Sequence, residues 1–415
     1  MVDFDYFNTL LVQNIGNKLR STAPTITPSA SYGYSDAAEA EAIFSGRENL
    51  PLYARVGNPT NAKLESVVSL LEGGMGAIAT SSGMGALSMV LTAFLKVGDE
   101  ILCIGGFFGG TYSLVDETLR RFGIRNSFCD VDDFQHLESL LQTGVKMVLM
   151  ESVGNPSLRL PDIQKIADLC ATYQTLLIID NTATPLLVRP LKLGADIVIH
   201  SSTKNMSGHS AALGGIAVFR KVMPCDKLQN EKYQDIHPLL EKLGEKALIG
   251  ICKKRALRDI GMSANAFGSF LTLLGLETLA LRIPRVNETL SHVVALLHQS
   301  AGHNITINHP SLATDVHHDR YLQYFAQGCG PIFTIDCHTK ARAFALLNHL
   351  KMVTLTANIG DNRTLALHMD STIFREFSPA AKRFLGVSEG LIRVSVGLES
   401  PDQIAQDFLQ AISSL

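Results

Sequence analysis

The chain has 415 residues, 46% of them hydrophobic and 18% charged, and a formal net charge of −3. That is the composition of a globular protein too long for one small core, so two domains are the natural expectation. No long basic or acidic block recommends nucleic acid or a membrane surface as a partner, and no apolar run has the length to span a bilayer.

The opening Met1-Val-Asp-Phe-Asp-Tyr6 lacks the basic stretch and apolar core of a secretory signal. Seven cysteines stand at 103, 129, 170, 225, 252, 329 and 337, without a C-x-x-C pair. This odd, dispersed set predicts reduced thiols in a cytoplasmic protein, mostly small core residues, and neither a disulfide framework nor a metal site.

In chain order, residues 1–56 show weak periodicity and many turn formers, among them Ala23-Pro24, Thr27-Pro28 and Tyr32-Gly33-Tyr34. They read as an extended arm with one short helix near Asp36 to Phe44. An arm with so little core of its own is expected to lie on a neighbouring subunit. Asn58-Pro59-Thr60 opens a helix through Leu64, Val67, Val68 and Leu71. Short apolar strands then alternate with helices, at 77–80, 100–104, 125–129, 145–150, 176–179 and 197–199. This alternation predicts βαβ units and a mostly parallel sheet, an α/β domain over 57–255. The Lys- and Glu-rich stretch 221–255, broken by Pro224 and Pro238, reads as an insertion between domains. Beyond 256, a helical pattern runs through Phe267, Phe270, Leu271, Leu274, Leu276 and Leu279, with a second helix over 285–301. Strands at 305–308, 331–336 and 391–396 and a terminal helix from Asp402 complete a smaller α+β domain over 256–415.

The chemistry-bearing residues cluster at strand ends, where open α/β sheets bind ligands. Ile197-Val-Ile199 is followed by His200, Ser201, Ser202, Thr203 and then Lys204. A lysine in that place is desolvated, its neutral amine becomes accessible, and it can form a Schiff base. In an arbitrary chain such a lysine is more often a surface residue; the company it keeps reverses that reading. Ser81-Ser82-Gly83-Met84 opens a helix, whose free amides and dipole favour an anion. Ser201 and Thr203 add hydroxyl donors. Asp180 closes an apolar strand and needs a cationic partner, which a protonated ring nitrogen supplies. Phe108 offers a face for an aromatic ring. Asn155, before Pro156, is a turn residue or a polar group at the sheet edge. An amine for an aldehyde, an acid for a ring nitrogen, an anion nest and an aromatic plate are together what pyridoxal 5′-phosphate requires. A magnesium-dependent nucleotide hydrolase lacks its G-x-x-x-x-G-K-[ST] loop here. A nicotinamide oxidoreductase lacks a clean G-x-G-x-x-G with its ribose acid.

These motifs make the sequence recognisable. Tyr53-x-Arg55-x-Gly-Asn-Pro-Thr60, Ser81-Ser-Gly-Met-Gly-Ala86, Gly109-Gly-Thr-Tyr112, Asp180-Asn-Thr182, Ser201-Ser-Thr-Lys204 and Gly390-Leu-Ile-Arg393 span essentially the whole chain. It resembles the Cys/Met-metabolism family of fold-type I pyridoxal-phosphate enzymes, which includes cystathionine γ-synthase, methionine γ-lyase and O-acetylhomoserine sulfhydrylase. The resemblance implies that Lys204 holds the cofactor and moves protons. It places Asp180 on the pyridine nitrogen, Asn155 near the ring hydroxyl, and Ser82, Gly83, Met84, Ser201 and Thr203 about the phosphate. Tyr53 and Arg55 would reach the phosphate of an adjacent subunit, which implies a composite site and a homotetramer built as a dimer of dimers. Arg393, helped by Asn358, would take the α-carboxylate of an amino acid substrate.

Three departures stand out. Phe108 occupies the place of a stacking tyrosine, leaving Tyr112 as a weak substitute for the lost phenol. Gly110 replaces the cysteine common in methionine γ-lyases, and no aspartate follows Gly208-His209. The 221–255 stretch, Gly275-Leu-Glu-Thr-Leu279 and Ala357-Asn-Ile-Gly-Asp361 resemble the sulfhydrylase branch. The implied reaction is therefore γ-replacement on an O-acylated homoserine, acetyl or succinyl, by sulfide or a thiol. Methionine γ-lyase or cystathionine γ-lyase activity is the alternative, and a catalytically silent cofactor-binding relative is the alternative from another class.

Overall fold

A computed structural model describes residues 1–16, 21–48, 50–224, 226–300 and 305–415; Cys225, one of the seven thiols, lies outside them. Seven strands form the larger sheet: β1 (Gly76–Thr80), β2 (Glu100–Ile104), β3 (Arg125–Cys129), β4 (Met147–Glu151), β5 (Leu176–Asp180), β6 (Ile197–His200) and β7 (Gly215–Phe219). Their order is β1-β7-β6-β5-β4-β2-β3. All run parallel except β7, which pairs antiparallel with both β1 and β6. The parallel register places Glu151 beside Asp180, and Asp180 beside Ile199. Three neighbouring strands thus end on one edge, where the polar residues emerge.

Strands buried on both faces read as unbroken apolar runs, and alternate residues serve opposite layers. Leu102, Val148, Leu177, Val198 and Val218 face one core, with the helices α1 (Phe4–Ile15) and α3 (Pro59–Glu72) against it. The short α2 (Ala37–Phe44) intervenes in the chain between them. Ile101, Leu149, Ile178, Ile199 and Phe219 face the other core, against α4 (Gly83–Phe94). β7 has no counterpart in the sequence reading. It passes so close to the Ser82–Gly83 turn that a Cβ on Gly215 would lie 2.1 Å from the Ser82 carbonyl oxygen. Only glycine fits that approach.

Two stretches differ from expectation. The first residues are not extended: Phe7, Leu11 and Ile15, four apart, form the buried stripe of α1, and the Asp3 side chain accepts from Tyr6 N at 2.9 Å to cap it. The 221–255 stretch packs into the larger domain, with Leu228, Tyr233, Ile236, Leu240, Leu248 and Ile251 in the second core. The Tyr233 hydroxyl donates to Lys146 O at 2.6 Å and accepts from Leu176 N at 2.9 Å. Its charged residues hid an apolar side.

The smaller sheet contains β8 (Thr306–Asn308), β9 (Ile332–Asp336), β10 (Thr354–Leu355), β11 (Leu365–His368) and β12 (Leu391–Ser395), in the order β10-β11-β12-β9-β8. The helices Leu279–Ser300 and Pro401–Ile412 close its core through Leu290, Val293, Ile404 and Phe408. β12 is the middle strand and carries Arg393, buried between Thr334 and Leu367 of its neighbours. Among the described residues no single helix is long and apolar enough to cross a membrane.

Candidate active site

The carboxyl edge of the larger sheet, the loop at Ala357 and Ile359, and Arg393 on β12 enclose a cavity of about 210 Å³. It is lined by Ser82, Gly83, Met84, Phe108, Asn155, Asp180, Ser201, Thr203, Lys204 and Arg393, together with Glu151, Thr182, Leu213, Ala357 and Ile359. All the own-chain residues expected at a cofactor therefore meet in one place. Asn358 joins them through Lys204, whose Nζ donates to Asn358 Oδ1 at 2.5 Å.

Each group is held by the element that carries it. Lys204 follows β6 across a tight turn, with Gly208 N donating to Lys204 O at 2.8 Å. Burial, then the nearby Arg393 guanidinium, lower its pKa to about 8, so a useful share of the neutral amine exists near neutral pH. Asp180 closes β5, and its Oδ1 accepts from Thr182 N at 3.0 Å. Burial raises its pKa against the opposing pull of Thr182 and His200, so a cation set opposite it would find a partner in need of one. Ser82 caps α4 by accepting from Gly85 N at 3.0 Å. The preceding amides of Gly83 and Met84 have no acceptor within the helix. A Cβ on Gly83 would lie 2.7 Å from Ser201 Cβ, so glycine is needed where the helix start meets the lysine turn. The Thr203 hydroxyl donates to Gly214 O at 3.1 Å and accepts from Gly214 N at 2.9 Å.

From the smaller domain, Arg393 donates through Nη1 to Asn155 Oδ1 at 3.1 Å and through Nη2 to Asn358 O at 3.2 Å. A planar fork fixed at both nitrogens suits bidentate capture of a carboxylate.

The sequence pattern of Cys/Met metabolism PLP-dependent enzymes matches residues 8–413. The chain belongs to this family. It is 34% identical to homocysteine synthase of Schizosaccharomyces pombe, over 99% of each chain. It is 34% identical to O-acetyl-L-homoserine sulfhydrylase 1 of Thermus thermophilus, over 94% of each. Among solved structures it superimposes on an O-acetylhomoserine (thiol)-lyase from Campylobacter jejuni that carries a pyridoxyl-phosphate lysine adduct. There the TM-score is 0.91 and the identity 30%, over 98% of this chain and 99% of that one. This is the fold-type I architecture.

The cofactor of this Cys/Met metabolism enzyme is pyridoxal 5′-phosphate, and the residues present fit it. A half-buried amine stands at a strand end, a buried acid makes no ion pair with a lysine or arginine among the described residues, and a glycine cradle opens at a helix start.

The departures have structural consequences. A Cβ on Gly110 would lie 2.8 Å from the Phe108 ring, so any side chain at 110 would require that ring to shift. Tyr112 does not replace the missing phenol; it stacks on Phe128 with centroids 5.0 Å apart and is not among the cavity residues. Tyr53 and Arg55 also lie outside this chain's cavity. Both are on the surface, with Arg55 over the Tyr53 ring at 5.6 Å and donating to Arg258 O. Glu151 is the residue that the sequence reading passed over. It closes β4 as Asp180 closes β5, and that same signal, an acid ending a buried strand, was available to find it.

Proposed function

We propose that the protein is an O-acetylhomoserine sulfhydrylase, exchanging the acetoxy group of O-acetylhomoserine for sulfide to give homocysteine. The names of its relatives point to this reaction class. The observation that carries the finer choice is the inventory of cations. Among the described residues lining the cavity, these are Lys204 and Arg393. Arg393 is needed for the α-carboxylate and Lys204 for proton transfer, so this chain offers no third cation for the extra carboxylate of a succinyl ester or of cystathionine.

When bound, pyridoxal 5′-phosphate supplies a ring that delocalises the negative charge left as a proton departs from the substrate. The chain's residues do the rest. Arg393 receives the α-carboxylate and fixes the substrate's orientation. The Lys204 amine would take the α-proton, with its lowered pKa matched to that task. Phe108 has no hydroxyl, so Lys204 is also the base for the β-proton. Asn358 holds Nζ in place, and its Nδ2 donates to Ser210 Oγ at 2.8 Å. Ser210 in turn donates to Asp361. Asp180 would pair with the ring nitrogen and keep its proton there. Gly83, Met84, Ser201 and Thr203 would face the phosphate, and Phe108 would cover a ring face. The product assay is direct: O-acetylhomoserine with sulfide yields homocysteine, and methionine alone yields no 2-oxobutyrate. Rapid 2-oxobutyrate from methionine would replace this reading with γ-elimination.

The assembly we infer is a homotetramer with composite sites. Exposed Leu70, Leu213, Phe267, Leu274 and Leu281 offer apolar surface for a second copy, and Tyr53 and Arg55 are exposed as well. Arg55→Ala is expected to weaken cofactor retention about tenfold or more. At a cofactor concentration too low to load Arg55→Ala, co-refolding Arg55→Ala with Lys204→Ala chains then restores activity that neither has alone, because one site of each mixed pair is intact. Hybrids as inactive as their parents would rule out sharing. The six described cysteines are free and buried, which suits a reducing cytoplasm.

A further inference from the structure

Glu151 and Asp180 are adjacent in register and both line the cavity. Burying two acids side by side is unfavourable. Burial, then Asp180, push the Glu151 carboxyl well above the usual range. Among the described residues, the hydrogen-bond partners of Glu151 are two backbone amides. Oε1 accepts from Phe108 N at 2.8 Å and Oε2 from Asn155 N at 3.0 Å. Asn155 then accepts from Arg393 at 3.1 Å. A side chain that costs stability and ties together three ligand-facing residues from separate parts of the chain belongs to the working site.

We propose that Glu151 is a positioning residue for the reaction. It fixes the loop that presents Phe108, the turn that presents Asn155 and, through Asn155, the angle of Arg393. The cofactor plate and the substrate clamp are thereby set by one carboxylate. The proposal rests on the pyridoxal-phosphate reading of the site. An acid side chain is needed because each of its two oxygens accepts from a backbone amide; a glutamine turns its NH₂ towards one of the two amide donors.

The test is Glu151→Gln in the cofactor-loaded enzyme, with Glu151→Asp as a second variant that keeps the charge and loses the reach. Visible circular dichroism of the bound cofactor reports how its ring sits, and steady-state kinetics separate KM from kcat. The dichroic band is expected to fall at least about twofold and KM for the amino acid to rise about tenfold. The cofactor-free Glu151→Gln protein is expected to stay folded, which its Tm and far-ultraviolet circular dichroism check. A folded variant with the parent's dichroism and KM overturns the proposal, and so does a variant that loses only Tm. A parent with no visible band would instead overturn the cofactor reading beneath it.

Discussion

Lys204→Ala is expected to lower homocysteine formation by at least about a thousandfold, because on the proposed mechanism one substitution would remove both the cofactor's attachment point and the acid–base group. The fold should survive. Lys204 lies in a cavity, and among the described residues its one side-chain bond is to Asn358. Circular dichroism in the far ultraviolet and the Tm of the cofactor-free protein check this. Lys204→Arg should fail equally, because a guanidinium does not deprotonate. The pH behaviour follows from the same environment. The amine becomes neutral above its pKa, so capture of pyridoxal 5′-phosphate by the cofactor-free chain should accelerate as pH rises through about 8. An ordinary lysine would require roughly pH 10.4. Capture that keeps accelerating up to that higher range would show that Lys204 is not desolvated.

Arg393→Ala is expected to cut kcat/KM by roughly 30-fold or more, the effect of about 2 kcal/mol or above for truncating one side of a buried charged pair. Most of the loss should appear in KM, since the carboxylate is bound alike in ground and transition states. Arg393→Lys should recover only part of it. An ammonium cannot span Asn155 Oδ1 and Asn358 O while also presenting two parallel donors to a carboxylate. Unchanged KM in a folded Arg393→Ala protein would place the carboxylate elsewhere.

The larger sheet was legible because its strands are short and buried on both faces. Glu100–Ile104 and Arg125–Cys129 have the bounds that the sequence suggests. Gly215–Phe219 escaped notice since it follows the lysine turn without a helix between, which breaks the βαβ rhythm. The helix Phe4–Ile15 was hidden by a stripe of only three buried residues, and the 221–255 stretch by charged residues surrounding its apolar ones.

In the site, Lys204 and Asp180 declare themselves by ending apolar runs. Arg393 does not. Inside a strand of the smaller domain it looks like any strand arginine, and only the docking of that domain brings it to Asn155. Family resemblance supplied its place in advance; local pattern does not encode contacts across that span of sequence. Glu151 carries the same strand-end signal as Asp180, yet the turn that follows it, Gly154-Asn-Pro156, made it read as loop.

The central claim is that one amine, on Lys204, carries the cofactor. Borohydride reduction of the yellow protein followed by peptide mass spectrometry tests it. The account predicts a single reduced pyridoxyl-phosphate group per chain, on the peptide containing Lys204. A colourless protein supplied with the cofactor, or a label on Lys146 or Lys232 instead, would contradict it.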